Sequence, residues 1–244
     1  MHLDVVELRD FYYATALGRA AARAMGAQIG ALWPQPRAET LLGFGFAVPV
    51  MRPLMERAGR SIALMPGQQG VMHWPDDGNN ISALCAETQW PLPSGLADRI
   101  VMLHALETSE RPDAVLEEAA RVLAPAGRLI VIVPNRSGLW ARREATPFGI
   151  GRPYTLGQIE RQLARHGLTA ERHLAALFFP PSQRLFWLRC AGNLERVGRR
   201  ISSYFAGGVI LVGAMKAAQT PGAAGLRDTV RRPLEVRDGA VRPA

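Results

Sequence analysis

The sequence predicts an α/β protein, a three-layer sandwich with helices on both faces of a mostly parallel sheet. Three observations predict it. Arg99 to Leu103 and Gly127 to Val133 are short apolar runs, and Pro112 to Leu123 between them is amphipathic with helical spacing. A buried strand, a crossover helix and a second buried strand imply a parallel sheet covered on both sides. Turn-rich punctuation and further short apolar runs extend the same alternation toward both ends of the chain.

Each element has its own local reason. Residues 5 to 33 read as one helix, because alanine is frequent and proline absent until Pro34. Leu8, Phe11, Tyr12 and Thr15 recur on one side of it, although Arg19 and Arg23 continue that side. Glu39 to Phe44 reads as a first strand running into a glycine turn, and Pro49 to Ala58 as the helix after it. Ser61 to Met65 is a second strand. Pro66 to Asn80, rich in Gly, Gln, Asp and Asn, is loop. Ile81 to Ala86, Arg99 to Leu103 and Gly127 to Val133 are strands three to five. A long connection from 134 to 154 follows, and long ordered loops in compact domains usually carry function. Thr155 caps a helix that Gly167 closes. Leu174 to Phe179 and Val209 to Met215 make a closing strand pair around a largely helical excursion from Ser182 to Tyr204.

At 244 residues the chain suits one sizeable domain with appended pieces. The reading divides it into an N-terminal helical cap (1–34), the α/β domain (35–217) and an Arg/Pro/Gly-rich tail (218–244) expected to be flexible. The N-terminal stretch carries Asp4, Glu7 and Asp10 where a secretory leader needs an apolar run, and no apolar run is long enough to span a bilayer. Two isolated cysteines give neither a disulfide framework nor a metal-ligand spacing. These features suggest a cytoplasmic protein without a metal and without membrane insertion. The net charge of +8 is almost entirely arginine, since Lys216 is the single lysine. With abundant Ala and Gly this reads as a compositional bias, so nucleic acid is not the expected partner.

Three groups of residues could carry chemistry. Gly43-Phe-Gly-Phe follows the first strand, where glycines let backbone approach a ligand and the next helix offers free N–H groups. The competing reading is a tight strand-to-helix turn. His104 and Glu107 follow the fourth strand, at the carboxyl end where open α/β sheets bind ligands. His104 is the candidate proton acceptor; alternatively it packs beneath the next helix and Glu107 is a capping or surface acid. Arg136, Trp140, Arg143 and Tyr154 lie on the long loop, where guanidinium forks and aromatic walls suit an acidic acceptor. The competing reading there is a well-packed loop with surface arginines.

The run Asp98-Arg-Ile-Val-Met-Leu-His-Ala-Leu-Glu107, followed by Arg121-Val-Leu-Ala-Pro-Ala-Gly-Arg-Leu129, resembles the class I S-adenosylmethionine-dependent methyltransferases, of the group called methyltransferase type 11. The resemblance extends over roughly residues 35 to 217. It implies a Rossmann-like methyltransferase fold, a seven-stranded mostly parallel sheet of order 3-2-1-4-5-7-6 with its last strand antiparallel. It also implies S-adenosylmethionine as cofactor, held by Gly43 and Gly45, by the position of Met65 with Gln68 or Gln69 nearby, and by Glu87. The sequence departs from the family at two anchors. Leu41 stands where an acid usually precedes the glycines, and Met65 where an acid usually holds the ribose hydroxyls. The acceptor, a small molecule or a protein, is expected between the two loops, walled by His104, Glu107, Arg136, Trp140, Arg143 and Tyr154. Two other readings stay open: a degenerate methyltransferase-like scaffold acting through a protein partner, and an RNA methyltransferase.

Overall fold

The computed structural model describes residues 3–34, 38–201 and 206–217. Seven strands form one sheet: β1 (Ala38–Gly45), β2 (Ala58–Pro66), β3 (Ser82–Cys85), β4 (Ala97–Leu103), β5 (Leu123–Pro134), β6 (Leu168–Ala176) and β7 (Val209–Lys216). Their order is β3-β2-β1-β4-β5-β7-β6, as predicted. The pairs within β3-β2-β1-β4-β5 are parallel, whereas β7 runs antiparallel to both β5 and β6.

Alternation along the central strands fills two cores. Leu41, Met65, Val101, Leu103, Ile130 and Ile132 face one side, where α2 (Ala16–Leu32) and α3 (Val48–Met55) cover them. Leu42, Phe44, Ile100, Met102, Leu129 and Val131 face the other side, beneath α4 (Pro112–Val122) and α5 (Leu156–Arg165). Burial of each such side chain contributes roughly 1.5–3 kcal/mol, so the central strands hold the sheet together. A further helix, α6 (Leu185–Ile201), joins β6 to β7. No described helix is long and apolar enough to cross a membrane.

Two sequence expectations need correction. The single helix over 5–33 is two: α1 (Val5–Arg9) runs into a π-helical turn at Asp10–Ala14, and α2 starts afresh at Ala16. The break is at Thr15, whose backbone is extended at φ −97° and ψ 146°. Its hydroxyl donates to the Phe11 carbonyl and accepts from the Gly18 N–H, closing one turn and capping the next helix. The alanine content hid this, because a capping threonine inside a helical pattern is a weak local signal. The late strand lies at Leu168–Ala176, not 174–179. It sits at the sheet edge, so Thr169, Glu171 and Arg172 face solvent and no apolar run marks its first half. The helical excursion proposed for 182–204 is α6 as far as it is described; positions 202–205 and the tail at 218–244 lie outside the described residues.

Candidate functional site at the carboxyl edge of the sheet

The carboxyl ends of β1, β2 and β4 meet beneath the N-terminal segment. Gly45 ends β1 with φ +77°, and a Cβ there would lie 2.4 Å from the Leu103 carbonyl oxygen. The turn therefore requires glycine on two counts, left-handed backbone and close approach of β4. Phe46 then donates its N–H to the same Leu103 carbonyl. At Gly43 a Cβ would lie 2.1 Å from the Met51 sulfur. Both glycines thus face protein atoms and let α3 and β4 pack close.

His104, one residue past β4, is fully buried and left-handed at φ +50°. A non-glycine residue in that region costs about 1–2 kcal/mol, which its hydrogen bonds must offset. Its Nε2 lies 2.7 Å from the Tyr12 hydroxyl and its Nδ1 3.1 Å from Glu107 Oε1. Burial, and secondarily the Glu107 carboxylate, hold the Tyr12 phenol well above its ordinary value. A phenol that keeps its proton donates to Nε2, which places the imidazole proton on Nδ1, facing Glu107. Glu107 is 2% exposed, and its Oε2 has no hydrogen-bond partner among the described residues. Such an orphan oxygen in a buried site is costly.

Aromatic rings enclose the array. Tyr12 stacks on Phe46 with centroids 5.9 Å apart, and Phe148 lies 4.9 Å from the His104 ring. Trp140 meets Phe148 edge-on at 5.4 Å. From the turn after β2, Gln69 donates its side-chain N–H to the His104 carbonyl, while its backbone carbonyl accepts from the Val5 N–H. One glutamine therefore ties the start of α1 to the loop after β4.

The remaining sequence candidates divide sharply. Met65 is completely buried within the core, not at a cavity wall. Gln68 is exposed; with Leu3, Gln69 and the half-buried Glu87 it lines a void of only about 10 Å³. Trp140 is a core residue: it is fully buried and donates its indole N–H to the Phe179 carbonyl. Arg143 is exposed and lines a separate groove with Leu17, Thr146 and Arg184. Arg136 and Tyr154 share another groove of about 330 Å³. The six residues expected to wall one acceptor pocket thus split into a buried array, a core side chain and two grooves. The sequence favours core packing for Tyr12 over closure across the cofactor site, and offers Gln69 only as an option beside Gln68. A tyrosine within an apolar stripe was the available signal, since a buried phenol needs a partner.

A wider cleft, about 1210 Å³, lies at the opposite, amino edge of the sheet. Glu39, Glu56 and Asp98 line it together with Arg57, Arg60, Arg99 and Arg128. Its mixed charge and its distance from the strand ends set it apart from the site. Among the described residues no group of three or more His, Cys, Asp or Glu could hold a metal ion.

Comparison with known proteins agrees with this fold. Residues 43–131 match the model of a methyltransferase domain. No curated protein matches the chain. Among solved structures, it resembles an S-adenosylmethionine-dependent methyltransferase of Thermotoga maritima, described as a possible histamine N-methyltransferase. That match has 17% identity and a TM-score of 0.59, over 82% of this chain and 91% of that one. A candidate methyltransferase of Haloferax volcanii, solved in complex with the Trm112 methyltransferase activator, matches at 17% identity and TM-score 0.58, over 86% and 97% of the two chains. The geranyl diphosphate C-methyltransferase of Streptomyces coelicolor, solved with S-adenosyl-L-homocysteine, matches at 18% identity and TM-score 0.55, over 80% and 77%. The chain has the class I S-adenosylmethionine-dependent methyltransferase fold, and the family resemblance in its sequence holds across residues 43–131.

In the arrangement described here, the residues expected to hold S-adenosylmethionine do not fit it. The glycine faces are filled, Met65 is in the core, and the void beside Gln68, Gln69 and Glu87 is about 10 Å³. Pockets for ligands of that size run from roughly 300 to 1,000 Å³.

Proposed function

We propose that the chain is an S-adenosylmethionine-dependent methyltransferase whose cofactor site is closed by its own N-terminal segment. One observation carries the reading: the buried Tyr12–His104–Glu107 array at the carboxyl edge, with a strained histidine and an unpartnered carboxylate oxygen. Leu3, Tyr12 and Phe46 fill the place that the resemblance assigns to the cofactor. The segment from Leu3 to Ala14 must therefore withdraw before anything binds there. Its construction suits such movement, because a π-helical turn interrupts the helix and Thr15 provides a break. With the segment open, His104 loses its phenol partner. Nε2 is then free to take a proton from an acceptor, while Glu107 holds the ring by Nδ1 and stabilises the imidazolium.

Calorimetric titration with S-adenosylhomocysteine tests this reading. The wild-type chain should bind one equivalent, and Tyr12→Phe should bind roughly tenfold tighter, because the latch contributes about one hydrogen bond to the closed state. Absence of binding to both proteins at millimolar ligand would refute it.

A second reading has its own support. Leu41 and Met65 replace two acidic anchors and are both built into the core. A degenerate scaffold acting through a protein partner would show that pattern, and the Haloferax relative is itself in complex with an activator protein. This reading expects no S-adenosylhomocysteine binding by either protein, together with a stoichiometric partner on purification.

A further inference from the structure

The groove beside Tyr154 has an unusual lining. Arg136 and Arg152 reach it from the loop after β5, and Arg161 and Arg165 from one face of α5. Tyr154 and Gln158 complete its wall. No carboxylate lines it, and none of the four arginines makes an ion pair among the described residues. Arg161 and Arg165 are spaced i and i+4 on the helix, where like charges repel. The Arg136 guanidinium is fixed by donating to the Pro153 carbonyl.

The groove is also tied to the buried array. The Tyr154 hydroxyl donates to the Leu106 carbonyl, and the Arg152 N–H donates to the Glu107 carbonyl. The wall of the groove thus stands one residue from the carboxylate that supports His104.

We infer that this groove binds the phosphate or diphosphate group of a small molecule. Four guanidiniums exceed what a single carboxylate can neutralise, whereas a phosphate ester carries about −1.5 to −2 and offers three acceptor oxygens to bidentate forks. The volume of about 330 Å³ suits one such group with the start of its organic portion. Binding at the groove stands without the methyltransferase reading. Its further assignment, as the anchor of the methyl acceptor's charged end, rests on that reading.

Titration of the full chain with pyrophosphate at 0.15 M salt tests the site, with citrate and a single-stranded RNA oligomer as comparison ligands. Pyrophosphate should bind saturably at one equivalent. The exposed pair Arg161→Gln and Arg165→Gln should weaken it by roughly ten- to hundredfold, the loss expected for hydrogen bonds to a charged group. The pair Arg136→Gln and Arg152→Gln should do the same, and thermal melts should show both variants folded. S-adenosylhomocysteine affinity should be unchanged in both, which separates failure of the groove from failure of the cofactor reading. Non-saturable binding, equal affinity in variants and wild type, or equal affinity for citrate would each overturn the proposal. Tighter binding of the RNA oligomer would also overturn it, in favour of a nucleic-acid surface.

Discussion

At Gly45 the space that a cofactor was expected to use is occupied by the Leu103 carbonyl. Replacing it with alanine should therefore act on folding. A left-handed backbone and a 2.4 Å approach together predict a loss of at least about 2 kcal/mol in urea denaturation. A loss under about 0.5 kcal/mol would mean that β4 yields easily and that the turn is not strained. Tyr12→Phe should cost about 1–3 kcal/mol in the same measurement, because it leaves His104 Nε2 buried without a donor. Single positions of this kind were only partly legible in the sequence. His104 and Glu107 stood out by their place after a strand. Tyr12, 92 positions away from His104, becomes their partner only through the fold. Met65 and Trp140 were read by analogy and by residue type, and burial assigns both to packing.

Elements were more legible than residues where burial made them periodic. β4, α4 and β5 lie where apolar runs and helical spacing put them, because both faces of the central sheet are covered. Edges were less legible: β6 borders solvent, so its polar first half carries no apolar signal. The N-terminal helix failed for a different reason, since helix propensity is local while the break at Thr15 is a side-chain capping event. Thr15→Ala should consequently destabilise the chain by about 0.5–2 kcal/mol. It should also speed hydrogen exchange selectively in α1 and the π turn, as seen by mass spectrometry. Uniform acceleration across the sheet would instead place the effect on the whole fold. Thr155, which forms a complete capping box with Gln158, offers a comparison at α5. There Thr155→Ala should leave exchange in the N-terminal segment unaltered.

For the molecule as a whole, buried acids of high pKa set its response to alkali. Burial pushes the Cys85 thiol up from 9.0 to about 12, and burial with Glu107 pushes the Tyr154 phenol up from 10.0 to about 12. Tyr12 is raised in the same sense. Each is protonated in the fold and ionises more readily when unfolded, so the unfolded chain binds fewer protons between the two values. Stability is therefore full below about pH 9 and falls as pH rises toward 12. A melting temperature that stays level from pH 8 to 11.5 would contradict this. The central claim is that the carboxyl edge is a cofactor site roofed by the chain's own first residues. A crystal structure of the chain grown with saturating S-adenosylhomocysteine tests it most directly. The account predicts ligand density bounded by Phe46, Gln68, Gln69, Glu87 and His104, with Leu3 to Ala14 displaced and the Tyr12–His104 hydrogen bond broken. Ligand density elsewhere, or an unmoved segment over an empty carboxyl edge, would contradict it.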